Sequence, residues 1–130
     1  MKDFVTFEIA KKLKEKGFRE KCLAYYNDDS IEYNHESKMF DCELFMSHNS
    51  YDNIWHRYYI DAPTISQTLK WLRKEKKIHI CIDFEEDMNW YYQIAIYGSK
   101  DIAADGYGYN GYEEAVLCGI EYVLDNLIWL

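Results

Sequence analysis

Apolar and polar residues alternate along two neighbouring segments in the second half of the chain. Ile78, Ile80 and Ile82 alternate with polar residues up to Phe84, which is the period of two expected for a half-buried strand. A short acidic break follows, and residues 90–97 resume the alternation. The pattern therefore predicts two antiparallel strands joined as a hairpin.

Apolar residues at helical spacing predict a first helix from Thr6 to Gly17, with Leu13 on its apolar side. Gly17 suits a left-handed residue just beyond the helix end. Phe18 would then lie over Leu13, which is the apolar contact of a Schellman motif. The sequence thus predicts both ends of this helix.

Two further helices are predicted from their first turns. Pro63 and a capping box formed by Thr64 and Gln67 mark the start of the second helix. The third helix is expected to begin after Asn110 as the N-cap residue, with Glu113 at the third helical position.

Shorter apolar stretches in residues 22–61 predict three more strands, so the elements follow the order α-β-β-β-α-β-β-α. This order favours an α+β fold, with a mainly antiparallel sheet and about three helices packed on one face. Residues 1–130 are expected to form a single domain. The predicted core contains Ile9, Leu13, Leu69, Leu72, Ile80, Ile82, Ile94, Val116, Ile120 and Val123.

The charge of the chain restricts its partners. A formal net charge of −8 argues against general nucleic-acid binding, which needs a basic surface to replace counterions around phosphate. Basic residues concentrate in residues 2–21 and 73–77, and none follows Lys100. This distribution is typical of solvated helix faces, and the alternative is a bipolar surface that docks onto a charged partner. The acidic net charge favours a protein partner of basic character.

The cysteines and the apolar segments indicate a cellular location. Four cysteines lie far apart, without a Cys-x-x-Cys pair, and the N-terminus shows no signal-peptide pattern. The thiols are therefore expected to be reduced in a cytoplasmic protein. No apolar stretch approaches the ~18 residues of a membrane span, so no membrane association is expected.

The segment Gly106–Gly111 matches the pattern Gly-x-Gly-x-x-Gly before a helix. A dinucleotide-binding fold also needs a strand directly before the glycines and a parallel strand after the helix. The sequence predicts neither, so that fold is excluded. The segment is expected to be a loop with an ordinary helix start, and the alternative is a site for a small anionic ligand at the helix N-terminus.

Tyrosine is unusually frequent, with thirteen residues, several of them in adjacent pairs. In a strand, each pair would send one ring inward and one outward. Exposed rings could simply cover the open face of the sheet, or they could form a stacking or docking surface. The candidate binding residues are Tyr58, Tyr91, Tyr107, Tyr109 and Asn110.

No residue pattern argues for catalysis. The four histidines lack the close spacing of a metal site, and His48 and His56 would meet carboxylates only through the fold. Motifs for nucleophilic catalysis, phosphate binding and calcium binding are missing. The protein is therefore expected to be no enzyme and to use no cofactor or metal.

A resemblance to a known family extends over four parts of the chain, which are residues 4–18, 62–73, 78–80 and 108–115. The chain resembles short uncharacterised proteins that phages and mobile elements of gut bacteria encode. The resemblance implies a small phage-type accessory protein that acts in the cytoplasm of a bacterial host cell. It implies no catalytic, binding or cofactor residues.

Two functions fit these expectations. The first is a non-enzymatic accessory protein that docks onto a host protein and antagonises a bacterial defence system. The alternative is a small-ligand or nucleotide-binding protein that sequesters its ligand with exposed tyrosines and the segment 106–111. If neither a partner nor a ligand exists, a self-associating structural role as a homo-oligomer becomes the better explanation.

Overall fold

A computed structural model of the chain describes residues 4–27, 44–46, 59–86 and 89–128. These residues form three helices and six strands, which all pair antiparallel. The elements are α1 (Phe7–Glu15), β1 (Ala24–Asn27), β2 (Leu44–Met46), β3 (Tyr59–Ala62), α2 (Ile65–Glu75), β4 (Ile78–Phe84), β5 (Trp90–Ile96), β6 (Ile102–Tyr109) and α3 (Tyr112–Asn126). The predicted α+β class with three helices is confirmed.

The strands form two sheets of three strands, a division that the sequence pattern did not predict. The Cα positions likewise divide the chain into two compact units, one ending at Thr64 and the other beginning at Ile65. Each unit contains one sheet and is described by itself. The single-domain expectation stays a prediction.

The first unit contains α1 and a sheet of order β2-β1-β3. The Thr6 hydroxyl accepts a hydrogen bond from the Ile9 N–H at 3.3 Å and thereby caps the start of α1. At the other end, Gly17 has a φ of 101° and the Phe18 N–H donates to the Leu13 carbonyl at 3.0 Å. The predicted Schellman motif is confirmed.

The helix and sheet of this unit share an apolar core. α1 packs on β3, and the Val5 N–H donates to the Pro63 carbonyl at 3.0 Å. The Tyr26 hydroxyl donates to the Val5 carbonyl at 2.8 Å, and its ring meets the Phe7 ring edge-on at 5.6 Å. The polar tip of Tyr26 is thus satisfied while its ring packs against apolar neighbours.

The second unit contains the predicted hairpin, with Ile80 opposite Ile94 and Cys81 opposite Gln93 in β4 and β5. β6 pairs with the other edge of β5, so the sheet order is β4-β5-β6. α3 packs against all three strands and α2 packs against β4. Ile80 and Ile94 are buried while Cys81 is exposed, so both helices lie on one face of this sheet.

β6 corrects the expectation of irregular structure between the hairpin and the last helix. Residues 106–109, predicted to begin a loop, are the end of this strand. Alanine and glycine have weak β-propensity, so the local sequence gave little indication of a strand. Pairing with β5 along the whole segment overrides that weak preference.

A β-bulge interrupts the pairing of β5 with β6. Trp90 pairs with Tyr109 and the next residue, Tyr91, pairs with Tyr107, so Gly108 is the extra residue. Gly108 has a φ of 89°, a left-handed conformation that glycine adopts without a steric penalty. The bulge decides which face each of the two β6 tyrosines occupies.

The predicted start of the third helix is wrong by one residue. Gly111, and not Asn110, is the N-cap, because its carbonyl accepts the first helical hydrogen bond from the Ala115 N–H at 3.1 Å. Glu114, and not Glu113, reaches back and accepts a hydrogen bond from the Asn110 N–H at 2.6 Å. The carboxylate therefore stabilises the helix start in place of a capping side chain.

The core agrees with the sequence prediction at all but two positions. Leu69 and Ile82 are half-buried, and the other eight predicted residues are buried. On α2, Thr68 and Trp71 are buried, so the inward side of the helix is rotated away from Leu69. Ile82 lies towards the end of β4, where burial decreases.

None of the helices in the described ranges has the length and apolar composition that a membrane span needs.

Candidate functional site

Two of the predicted binding residues, Tyr91 and Tyr107, lie side by side on the second sheet. They are cross-strand partners in β5 and β6, and their rings stack with centroids 4.9 Å apart and planes 28° from parallel. Tyr107 is 50% exposed, whereas Tyr91 is less exposed because neighbouring residues partly cover it. Aromatic pairs in this geometry stabilise each other, which holds both rings in place before any partner arrives.

The stacked pair belongs to the face of the second sheet that points away from α2 and α3. We call it the open face, and it consists of His79, Cys81, Asp83, Tyr91, Gln93, Ala95, Ile102, Asp105 and Tyr107. Asp83 is the cross-strand partner of Tyr91, and Asp105 is the partner of Gln93. β4, β5 and β6 contain no lysine or arginine, so the open face is aromatic and acidic.

The electrostatics of the open face act on the Tyr91 phenol. Partial desolvation raises its pKa above the usual 10.0, and the nearby Asp83 carboxylate and Tyr107 hydroxyl raise it further. Glu85 contributes in the same direction. The phenol is therefore neutral at physiological pH, and the negative field that raises its pKa also attracts cations.

Tyr109 occupies the opposite face, beneath α3. Its ring stacks on Tyr92 with centroids 5.8 Å apart and planes 26° from parallel. Burial raises the pKa of Tyr92 to about 12, with the neighbouring Tyr109 adding to the shift. The pair Tyr91–Tyr92 sends one ring to each face, as the alternation predicts, and the bulge separates Tyr109 from Tyr107 in the same way.

The other two candidate residues do not join the stacked pair. Asn110 lies between β6 and α3, where its N–H donates to Glu114. Tyr58 lies outside the described residues. The structure therefore brings two of the five candidates together on the open face.

The glycines of the segment 106–111 have structural explanations. A Cβ atom at Gly106 would lie 2.5 Å from Cε2 of Tyr92 and 2.9 Å from the Tyr109 hydroxyl, so any side chain there would displace the Tyr92 ring. Beyond the bulge, Gly111 caps α3, whose first turn carries Glu113 and Glu114. Two carboxylates occupy the region where a helix N-terminus would hold an anion.

Within the described ranges, no group of three or more His, Cys, Asp or Glu side chains is arranged to hold a metal ion. His79 is exposed on the open face, and the other three histidines lie outside those ranges. Burial, with Asp61 and Glu20 nearby, raises the pKa of the Cys22 thiol to about 12. Cys81, by contrast, is an exposed thiol on the open face.

The sequence prediction missed an aromatic cluster at the hairpin end of the second sheet. Phe84, 54% exposed, packs against Trp90 at 4.8 Å, and Trp90 meets Tyr112 edge-on at 6.3 Å. It also missed Asp83 and Asp105 as members of the site. The cross-strand register is what assigns these carboxylates to the open face, and the alternation around Asp83 already indicated its outward direction.

Comparisons of the chain with protein-family models, with curated proteins and with solved structures found no match.

Proposed function

We propose that this protein is a non-enzymatic docking protein whose open face binds a basic segment of a protein partner. One observation carries the proposal: the stacked rings of Tyr91 and Tyr107 share a face with Asp83 and Asp105 and with no lysine or arginine. Exposed aromatic rings are enriched where proteins bind each other.

The chemistry of the open face favours basic partners over acidic ones. Carboxylates attract lysine and arginine side chains over several ångströms, and tyrosine rings bind the same cations through their negative faces. The net charge of −8 adds attraction at longer range and repels nucleic acid and other phosphate-rich molecules. Both effects select the same class of partner.

The resemblance to phage and mobile-element proteins supports the setting of this docking. A protein of that kind would meet its partner in the cytoplasm of a bacterial host cell. Antagonism of a host defence system is the role that this setting suggests. That part of the proposal rests on the resemblance and not on the geometry of the open face.

The alternative, a nucleotide or other small anionic ligand, has less support. The rings of Tyr91 and Tyr107 contact each other, so a base cannot insert between them. Gly106 is needed for packing under Tyr92, and Glu113 and Glu114 repel anions at the start of α3. The features that suggested phosphate binding thus have other roles.

A capture experiment tests the docking function. The full chain is immobilised and exposed to a bacterial lysate, beside the variants Tyr107→Ala and Tyr97→Ala. Tyr97 is a matched control because it is 59% exposed in the same unit and directly follows β5, at the end of the strand away from Tyr91. We expect a stoichiometric basic protein on the wild type and the control, little on Tyr107→Ala, and release at high salt.

Three results would contradict the proposal. Equal capture by Tyr107→Ala and the wild type would place the binding surface elsewhere. A small molecule released from the purified protein by heat would favour the ligand function. A dimer that Tyr107→Ala disrupts, without any other protein bound, would make a second copy of this chain the partner.

A further inference from the structure

We infer that the open face recognises an arginine side chain of the partner, stacked on the Tyr107 ring and paired with the Asp105 carboxylate. This inference rests on the proposed docking function and names the side chain that the docking surface selects. It follows from the arrangement of the rings, the position of the carboxylate and the exposure of the sheet edge.

The stack leaves one face of the Tyr107 ring for a ligand. The ring of Tyr91, on β5, covers the face that points towards the middle of the sheet. The opposite ring face is therefore directed towards the outer edge of β6, and among the described strands none lies beyond β6 in this sheet. Because Tyr107 is 50% exposed, a flat group from another molecule can lie on this ring face.

Asp105 supplies the negative charge beside that ring face. It lies two residues before Tyr107 on β6, and both side chains belong to the open face. Residues two apart on a strand are separated by about 7 Å. A side chain that stacks on Tyr107 can therefore direct its polar edge towards the Asp105 carboxylate.

Arginine fits this arrangement better than lysine does. The guanidinium group is planar, so it can stack on the phenol ring while its N–H groups donate to a carboxylate. A lysine ammonium group is compact and strongly hydrated, and it gains less from a flat aromatic surface. Asp83 and Glu85, near the Tyr91 hydroxyl, add attraction for either cation without distinguishing them.

Titration of the full chain with hexa-arginine and hexalysine peptides tests the inference, with the ring resonances of Tyr91, which stacks on Tyr107 and is present in every variant, as the readout. The peptides carry equal charge, so electrostatic attraction alone predicts equal affinity. We expect hexa-arginine to bind about three- to fivefold more tightly, the gain expected from one exposed cation–π contact. Tyr107→Phe should keep the preference, and Tyr107→Leu should remove it.

Two controls complete the titration. Tyr97→Leu should leave the preference for hexa-arginine unchanged, because Tyr97 lies just beyond the far end of β5. Asp105→Asn should weaken both peptides and reduce the preference, because the guanidinium group loses its charged acceptor. A cooperative thermal unfolding transition in each variant would show that the fold is retained.

Equal affinities for the two peptides, or a preference that survives in Tyr107→Leu, would overturn the inference. Such a result leaves the docking function standing if capture from the lysate still depends on Tyr107. Loss of both the arginine preference and the Tyr107-dependent capture would overturn the inference and the docking function together. The peptide titration and the lysate capture can therefore distinguish failure of the arginine inference from failure of the docking function.

Discussion

The two faces of the β4-β5-β6 sheet differ in what holds their side chains in place. On the face beneath the helices, Ile80 and Ile94 are buried, and a Cβ at Gly119 of α3 would lie only 3.2 Å from Ile80. On the open face, Tyr91 and Tyr107 are held mainly by each other. Packing volume restricts the side chains beneath the helices, whereas the contact between two rings restricts those on the open face.

The same alternating pattern of residues thus supplies a packed core on one face of the sheet and a surface for binding on the other. Side chains beneath the helices can change little in size, because the packed interior tolerates neither cavities nor excess volume. Side chains on the open face can change with little effect on folding, because water replaces most of their contacts. Substitutions should therefore separate stability from binding along the same three strands.

The largest effect is expected at the centre of the covered face. Ile94 is completely buried on the middle strand, so Ile94→Ala should lower the free energy of unfolding by about 2–5 kcal/mol. Tyr107→Ala, on the open face, should lower it by at most about 1 kcal/mol, the contribution of an exposed ring pair. Denaturant unfolding measures both, and similar losses would break the distinction between the faces.

A smaller loss of stability is expected at Gly106 of β6, which lies against the Tyr92 and Tyr109 side chains. Gly106→Ala places a Cβ within 2.5 Å of the Tyr92 ring and should lower the free energy of unfolding by about 1–3 kcal/mol. The matched control is Gly111→Ser, because nothing lies within 4 Å of a Cβ there. Serine is a better N-cap than glycine, so the control should gain a few tenths of a kcal/mol. Equal effects at both glycines would contradict the close packing.

A further effect on stability, confined to high pH, is expected from the Tyr92 phenol. The pKa of Tyr92 is about 12 in the folded protein and 10.0 for an ordinary tyrosine, so the unfolded chain loses this proton first. Stability should therefore fall as the pH rises from 10 to 12. Tyr92→Phe should show a shallower fall, whereas the exposed Tyr97→Phe should follow the wild type. A slope that Tyr92→Phe leaves unchanged would assign the effect to other groups.

The sequence predicted the parts of the fold that depend on local patterns. Strict alternation identified β4 and β5, and Gly17 with Leu13 and Phe18 identified the end of α1, because these features need only neighbouring residues. β6 could not be predicted in this way. Its glycines and alanines favour a strand only when β5 is already in place to pair with them.

The candidate site, like the fold, was predictable from local patterns but not in its long-range contacts. Tyr91 could be named as a candidate because adjacent tyrosines in a strand face opposite ways, and Tyr107 because it lay in a segment expected to be an exposed loop. Their contact depends on the pairing of β5 with β6, which no local pattern encodes. The same register assigns Asp105 to the open face. Long-range pairing, and not residue type, is therefore what the sequence left undetermined.

The single extra residue at Gly108 lets β6 place two tyrosines, two positions apart in the sequence, on opposite faces of the sheet. Without the bulge, Tyr107 and Tyr109 would be two apart on a regular strand and would point the same way. Deleting Gly108 would instead make the two tyrosines neighbours on a regular strand, and neighbours on a strand still point to opposite faces. A chain without this residue would therefore keep one ring on each face, whereas regular pairing with the residue retained would move one ring to the other face.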